Sequence, residues 1–234
     1  MSERAQNIAD RVARVQERIV AACARAGRRP EEVLLVAVSK NMPASDIQAA
    51  YRCGLRNFGE NRVQEAVSKV PELPKDIRWH FLGQLQRNKA RKALEFAELI
   101  HSLDRMSLAE TLNRLGKERN QVVSVLVEVN TGGEESKAGI SPAELEPFLY
   151  RLQDLEWIAV KGLMTIAPYV DDPEAARPFF AELKRLAQQA EGYKLPRVSM
   201  EVLSMGMTND YEAAILEGST LVRIGRGIFG PRRS

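Results

Sequence analysis

Cysteine, histidine and tryptophan are scarce in this chain, with two of each among 234 residues. Cys23 and Cys53 form no Cys-x-x-Cys motif and are too few for a disulfide framework. His80 and His101 cannot join them at any recognised zinc spacing, so no metal centre is expected. No run approaches the roughly 20 apolar residues of a membrane span. Glu3, Arg4, Asp10 and Arg11 interrupt any signal-like stretch near the N-terminus, so a reduced, cytoplasmic protein is expected. An excess of one charge is also missing. The formal net charge is +3 from 34 basic and 31 acidic residues that are interspersed, which argues against a nucleic-acid partner. The only basic tail, Arg232-Arg233, is too short to change this. No Pro/Gly/Ser-rich linker divides the chain, so a single domain over residues 1–234 is expected.

What is present is the composition of an ordinary globular protein, 44% hydrophobic and 28% charged. Ile8, Val12, Val15, Ile19 and Ala22 recur at spacings of four and three, which predicts an amphipathic helix over 5–25. A two-beat pattern follows. Apolar strands are read at 33–39, 57–59, 79–83, 99–102, 122–129, 158–164, 198–203 and 221–224. Between them the sequence predicts helices at 45–53, 61–70, 88–96, 106–119, 142–153, 173–190 and 209–217. Alternation of this kind implies a parallel sheet, and eight units in this length fit a closed (β/α)8 barrel with an extra N-terminal helix. The rival open doubly wound sheet lacks its fingerprint, because no Gly-x-Gly-x-x-Gly follows the first strand.

In a barrel, ligands bind beyond the carboxyl ends of the strands. Lys40 ends the run Val33-Leu34-Leu35-Val36-Ala37-Val38-Ser39 and is a candidate Schiff-base lysine, the alternative being a lysine that reaches into water. Ser204-Met205-Gly206-Met207-Thr208 runs into the next helix, and Arg223-Ile224-Gly225-Arg226-Gly227 adds glycines where a ligand can approach the backbone. The loops after strands seven and eight are the usual phosphate site of such barrels. Arg223 alternates with Val222 and Ile224, so it faces away from them. Its partner is then a carboxylate such as Glu60 or Glu201, or a ligand atom. A Schiff-base lysine, a phosphate cup and an interior arginine together describe pyridoxal 5′-phosphate. A permanently charged Arg223 at the ring nitrogen would keep that nitrogen unprotonated and the ring a weak electron sink.

These residues resemble the pyridoxal phosphate homeostasis proteins, relatives of the N-terminal barrel of alanine racemase. The resemblance rests on Ala37–Lys40, Asn57–Asn61, His80–Lys89, Gly162–Met164, Leu203–Met207, Arg223–Gly225 and Ile228–Gly230, in family order and spread over nearly the whole chain. It implies a single (β/α)8 barrel in which Lys40 holds the cofactor and Asn61 lines its site. It also implies that Ser204, Gly206, Gly225 and Arg226 surround the phosphate, that Thr208 keeps a hydroxyl where a serine is more usual, and that Arg223 faces the ring nitrogen. The family is regarded as cytoplasmic and monomeric, and as balancing free pyridoxal phosphate without established turnover. Pyridoxal phosphate and the apo-enzymes that would receive it are thus the expected partners. Met42 stands where many relatives have a second lysine, and Lys137 falls where relatives often carry a loop lysine, a candidate second aldehyde acceptor. Two other readings compete. A low-activity amino-acid racemase would need a base on each face of the ring. A class I aldolase would explain Lys40 and the phosphate cup but not Arg223.

Overall fold

The computed structural model describes residues 2–134 and 138–231. The helix α1 (Glu3–Arg25) precedes eight strand–helix units: β1 (Leu34–Val38), α2 (Ala44–Arg52), β2 (Asn57–Glu60), α3 (Val63–Lys69), β3 (Arg78–Phe81), α4 (Ala90–Ala93), β4 (Ala97–Leu103), α5 (Met106–Arg119), β5 (Val123–Glu128), α6 (Leu145–Leu152), β6 (Ile158–Met164), α7 (Arg177–Glu191), β7 (Val198–Met207), α8 (Tyr211–Leu216), β8 (Leu221–Ile224) and α9 (Arg226–Phe229). Among the described residues the strands form one closed parallel barrel, sealed by the β1–β8 pairing. Closure leaves no unpaired sheet edge. No helix of the described residues is long and apolar enough to cross a membrane.

The barrel carries two outer apolar layers. In one, Ile8, Val12, Val15 and Ile19 of α1 join residues of α2, α8 and α9 over Ala37, Phe58, Val222 and Ile224 of β1, β2 and β8. Each large apolar side chain buried there contributes about 1.5–3 kcal/mol. Ser2 caps α1 by accepting the Ala5 N–H. In the other layer α5, α6 and α7 pack on β3 to β7. The N-terminal helix therefore clamps the strands whose ends carry Lys40 and Arg223. Among the described residues the barrel interior holds a small apolar cluster of Leu99, Leu126 and Met164, with Val36 and Leu82 beside Gly59. Its remaining space holds buried polar groups, among them His80, His101, Ser204 and Arg223.

Three elements differ from the sequence reading. The helix expected over 88–96 is a 3-10 turn, Arg87–Lys89, followed by the single-turn α4. The preceding residues form a loop tied down by Ser102 Oγ donating to the Gly83 carbonyl (2.6 Å) and Arg105 Nη2 to that of Leu85 (2.5 Å), which leaves little chain for a helix before β4. β7 continues to Met207 instead of ending at Leu203. Its register on β8 shifts between Ser204 and Met207, and Gly206 takes the positive φ (+93°) that the irregularity requires. The segment 204–207 is thus strand, not loop. Residues 226–229, read as tail, form α9.

Gly162 sets the close approach of β6 to β7. It adopts φ +152°, and a Cβ there would lie 1.8 Å from the Val202 carbonyl oxygen. Gly162→Ala should destabilise the fold by about 3 kcal/mol. Gly27→Ala, at φ +64° with open space around it, should cost about 1 kcal/mol. Urea denaturation of both variants checks the order; equal midpoints would contradict the tight β6–β7 packing.

Candidate binding site at the carboxyl ends of the strands

Lys40 lies two residues beyond β1, and both of its neighbours are fixed from behind. Ser39 N–H donates to the Gly59 carbonyl (2.9 Å), which extends the β1–β2 ladder. Ser39 Oγ donates to Glu60 Oε1 (2.7 Å). Lys69 Nζ donates to the Ser39 carbonyl (3.0 Å), to Glu60 (3.0 Å) and to Glu65 (2.5 Å). Asn41 turns the chain at φ +62°, a conformation asparagine tolerates, and gives its N–H to the Glu65 carboxylate. Glu60 is buried, which pushes its carboxyl above the ordinary range, while Lys69 and Ser39 pull it back. Met42 is buried in the layer under α1, with its N–H on the Ser39 carbonyl (3.0 Å). Met42 is thus part of the core beneath α1.

Arg223 forms the floor. Only 5% of its surface is exposed. Its Nη1 donates to Ser204 Oγ (2.6 Å) and its Nη2 to the Thr165 carbonyl (2.9 Å). Neither carboxylate named from the sequence is its partner. Glu60 points to Ser39 and Lys69, because β2 alternates and places Phe58 and Glu60 on the outer face. Glu201 is exposed. The charges that act on Arg223 are instead Glu128 and Asp210. Burial lowers its pKa to about 10 against their pull, so it remains a cation at neutral pH. The Ser204 hydroxyl accepts from Arg223 Nη1 and meets His101 Nδ1 (2.9 Å) inside the barrel, so any contact of Ser204 with a phosphate falls to its backbone.

Sequence reasoning missed Glu128 and the two histidines. Glu128 ends the apolar strand β5 much as Lys40 ends β1, and that parallel is the available signal. It is 4% exposed and accepts from Gln84 Nε2 (2.5 Å). Burial and the nearby Asp104 raise its pKa to about 7, against Gln84 and Arg223, which lower it. His80 on β3 and His101 on β4 are buried and face each other in the barrel interior. His80 Nε2 lies 3.2 Å from Asn57 Oδ1, and His80 Nδ1 lies 2.9 Å from His101 Nε2. Burial, then Arg78, lowers His80 to about 4; burial, His80 and Arg223 hold His101 well below its ordinary value. Both rings are neutral at physiological pH.

The ends of β7 and β8 meet at the mouth. A Cβ on Gly206 would come within 2.6 Å of Ala214 Cβ and 2.8 Å of Tyr211 Cα, so α8 packs directly on that backbone. Thr208 Oγ1 accepts the Gly227 N–H (3.3 Å), joining the two loops. Asp210 Oδ1 takes the Met207 N–H (2.6 Å), and burial raises its carboxyl. Gly225 faces the β1 tip, where a Cβ added to it would lie 3.5 Å from the Val38 carbonyl oxygen. Arg226 is exposed at the start of α9. Asn61 follows β2, and its buried Oδ1 has no partner among the described residues. Lys40, Asn61, Gly206, Thr208, Gly225 and Arg226 therefore ring one mouth above Arg223, and Ser204 lies beneath it. Lys137 lies outside the described residues. Such a set offers an amine for an aldehyde, an unsatisfied acceptor, backbone loops for an anion and a fixed cation for a ring acceptor.

The raised Glu128 carboxyl stabilises the fold in its protonated form. That contribution is complete below the ordinary value of 4.5 and is lost as pH rises through about 7. The expected loss is up to about 3 kcal/mol across this window. Glu128→Gln should flatten the decline, as read by urea denaturation at a series of pH values. An unchanged pH slope would contradict the burial of this carboxyl.

A family model described as "Alanine racemase, N-terminal domain" matches residues 10–233. The chain is 44% identical over 228 residues to a protein of Aquifex aeolicus called pyridoxal phosphate homeostasis protein, covering 97% of this chain and 99% of that one. It is 41% identical over 234 residues to the Escherichia coli K12 protein of the same name, covering 97% of each. The solved structure of PipY from Synechococcus elongatus with PLP bound superposes with a TM-score of 0.82 at 38% identity, covering 95% of this chain and all 100% of that one. With its barrel, its strand-end lysine and its glycine-lined mouth, the chain belongs to the pyridoxal phosphate homeostasis protein family, within the group built on the alanine racemase N-terminal domain.

Proposed function

We propose that this chain binds pyridoxal 5′-phosphate at the barrel mouth and acts in the cytoplasm as a monomeric carrier and buffer of the cofactor, without catalytic turnover. One observation carries the reading. A buried guanidinium on β8 stands beside Val36 in the β1 register, and Lys40 follows four residues later, just beyond the end of that neighbouring strand. A phosphosugar aldolase has no use for that cation in the floor, whereas a pyridine nitrogen does. The buried, unpartnered Oδ1 of Asn61 and the glycine backbone at 206 and 225 fit a polar, phosphate-bearing ligand.

When bound, the cofactor supplies an electrophilic aldehyde and an electron-withdrawing ring. The chain's own residues do the rest. Lys40 presents the amine that takes the aldehyde reversibly. Gly206, Thr208, Gly225 and Arg226 receive the phosphate, with backbone N–H groups and the Arg226 cation favouring the anion. Arg223 gives an N–H to the ring nitrogen and, remaining charged, resists proton transfer to it. A ring left unprotonated is poorly suited to amino-acid chemistry, so the site favours holding over turning over. PLP-dependent apo-enzymes are the recipients that such a carrier would serve.

Purified protein mixed with pyridoxal phosphate should develop a visible absorbance band, and borohydride should fix the cofactor on the Lys40 peptide, as read by mass spectrometry. Lys40→Ala should abolish the band and the adduct. Arg223→Glu should shift the band by allowing ring protonation. A protein that takes up no pyridoxal phosphate would overturn the reading. Steady racemisation of an amino acid by the loaded protein would replace the carrier with the racemase.

A further inference from the structure

We infer that His101, backed by His80, is a positioning residue for Arg223: the two rings form a one-way hydrogen-bond chain that holds the Ser204 hydroxyl as an acceptor beneath the guanidinium. The function given to Arg223 rests on the cofactor reading; the chain itself does not.

The direction follows from the groups present. The contacts run Arg223 Nη1 to Ser204 Oγ (2.6 Å), Ser204 Oγ to His101 Nδ1 (2.9 Å), His101 Nε2 to His80 Nδ1 (2.9 Å) and His80 Nε2 to Asn57 Oδ1 (3.2 Å). Asn57 Oδ1 only accepts, so His80 Nε2 carries the proton. In a neutral ring Nδ1 then accepts, and His101 Nε2–H is its donor. His101 Nδ1 must accept in turn, and its proton comes from the Ser204 hydroxyl. The Ser204 lone pairs are left for Arg223. Reversing the chain would set the His80 Nε2 lone pair against Asn57 Oδ1. Ser204 and His101 are wholly buried and His80 is 5% exposed, so no bulk water competes for these links. The charged groups facing the chain are Arg78 beside His80 and Arg223 beside His101, with Glu128 and Asp210 acting on Arg223. Every donor points away from Arg223. The guanidinium is fixed by Ser204 and the Thr165 carbonyl, and its other N–H groups are left for the mouth. The histidine chain then offers no proton to Arg223, and a ring nitrogen resting on the guanidinium meets an arginine N–H.

The chain has only two histidines, so their ring signals are simple to assign. Histidine 15N–1H NMR of the cofactor-free protein should show two Nε2–H tautomers, unchanged between about pH 5 and 8. An Nδ1–H tautomer at either ring, or titration of either within that range, would overturn the inference. In the cofactor-loaded protein, His101→Leu should bind pyridoxal phosphate about tenfold more weakly and shift the visible band toward a protonated ring, the scale of one lost charged hydrogen bond. His101→Gln, whose amide supplies both a donor and an acceptor, should recover much of both. Ser204→Ala, which removes the acceptor itself, should reproduce the His101→Leu effect and serves if that variant does not fold. Unchanged affinity and spectrum in His101→Leu or Ser204→Ala would sink the positioning role. Failure of the wild-type protein to bind pyridoxal phosphate would sink the cofactor reading while leaving the tautomer result standing.

Discussion

A permanently charged guanidinium inside a parallel barrel is the constraint on which this site depends. Removing Arg223 from water costs several kcal/mol unless its N–H groups and its charge are matched. The match is distributed. Ser204 and the Thr165 carbonyl accept from it, and Glu128 and Asp210 supply opposing charge from β5 and from the start of α8. The interior has been given over to this purpose, with histidines, serine and glutamate standing where a barrel of this size more often holds layers of Val, Ile and Leu. The stability for the fold comes instead from the two outer layers, where helices seal the strands.

The same division explains how a lysine is presented reproducibly. Lys40 follows a strand clamped outside by α1 and behind by Lys69, Glu60 and Glu65. Its neighbours in the barrel, β2 and β8, carry Asn61 and Arg223. Two adjacent strand pairings thus bring an amine, an orphan acceptor and a buried cation to one mouth without a long loop.

Much of this is legible in the sequence because it is local. Apolar runs mark the longer strands such as β1, β5 and β6, and Lys40 stands out as a charge at the tip of one. The interior orientation of Arg223 follows from its alternation with Val222 and Ile224. Its partners do not, because they depend on which strands become neighbours and on registers that shift within β7 and β8. His101 meets Ser204 across 103 positions of sequence, and His80 meets His101 across 21. Neither link leaves a periodic trace. The extension of β7 through Met207 is hidden by Gly206, which reads as a turn residue but supplies a strand irregularity. The reach of Glu60 is hidden for a related reason. Its face of β2 is set by Phe58 packing outward under α1 and α2, and the short strand offers too few residues to reveal that.

The most direct measurement is the 15N chemical shift of pyridoxal phosphate labelled at the ring nitrogen and bound to the full chain. An unprotonated, hydrogen-bonded pyridine shift that persists on acidification within the stable range is the predicted result. A pyridinium shift at neutral pH would contradict the placement of Arg223 against the ring.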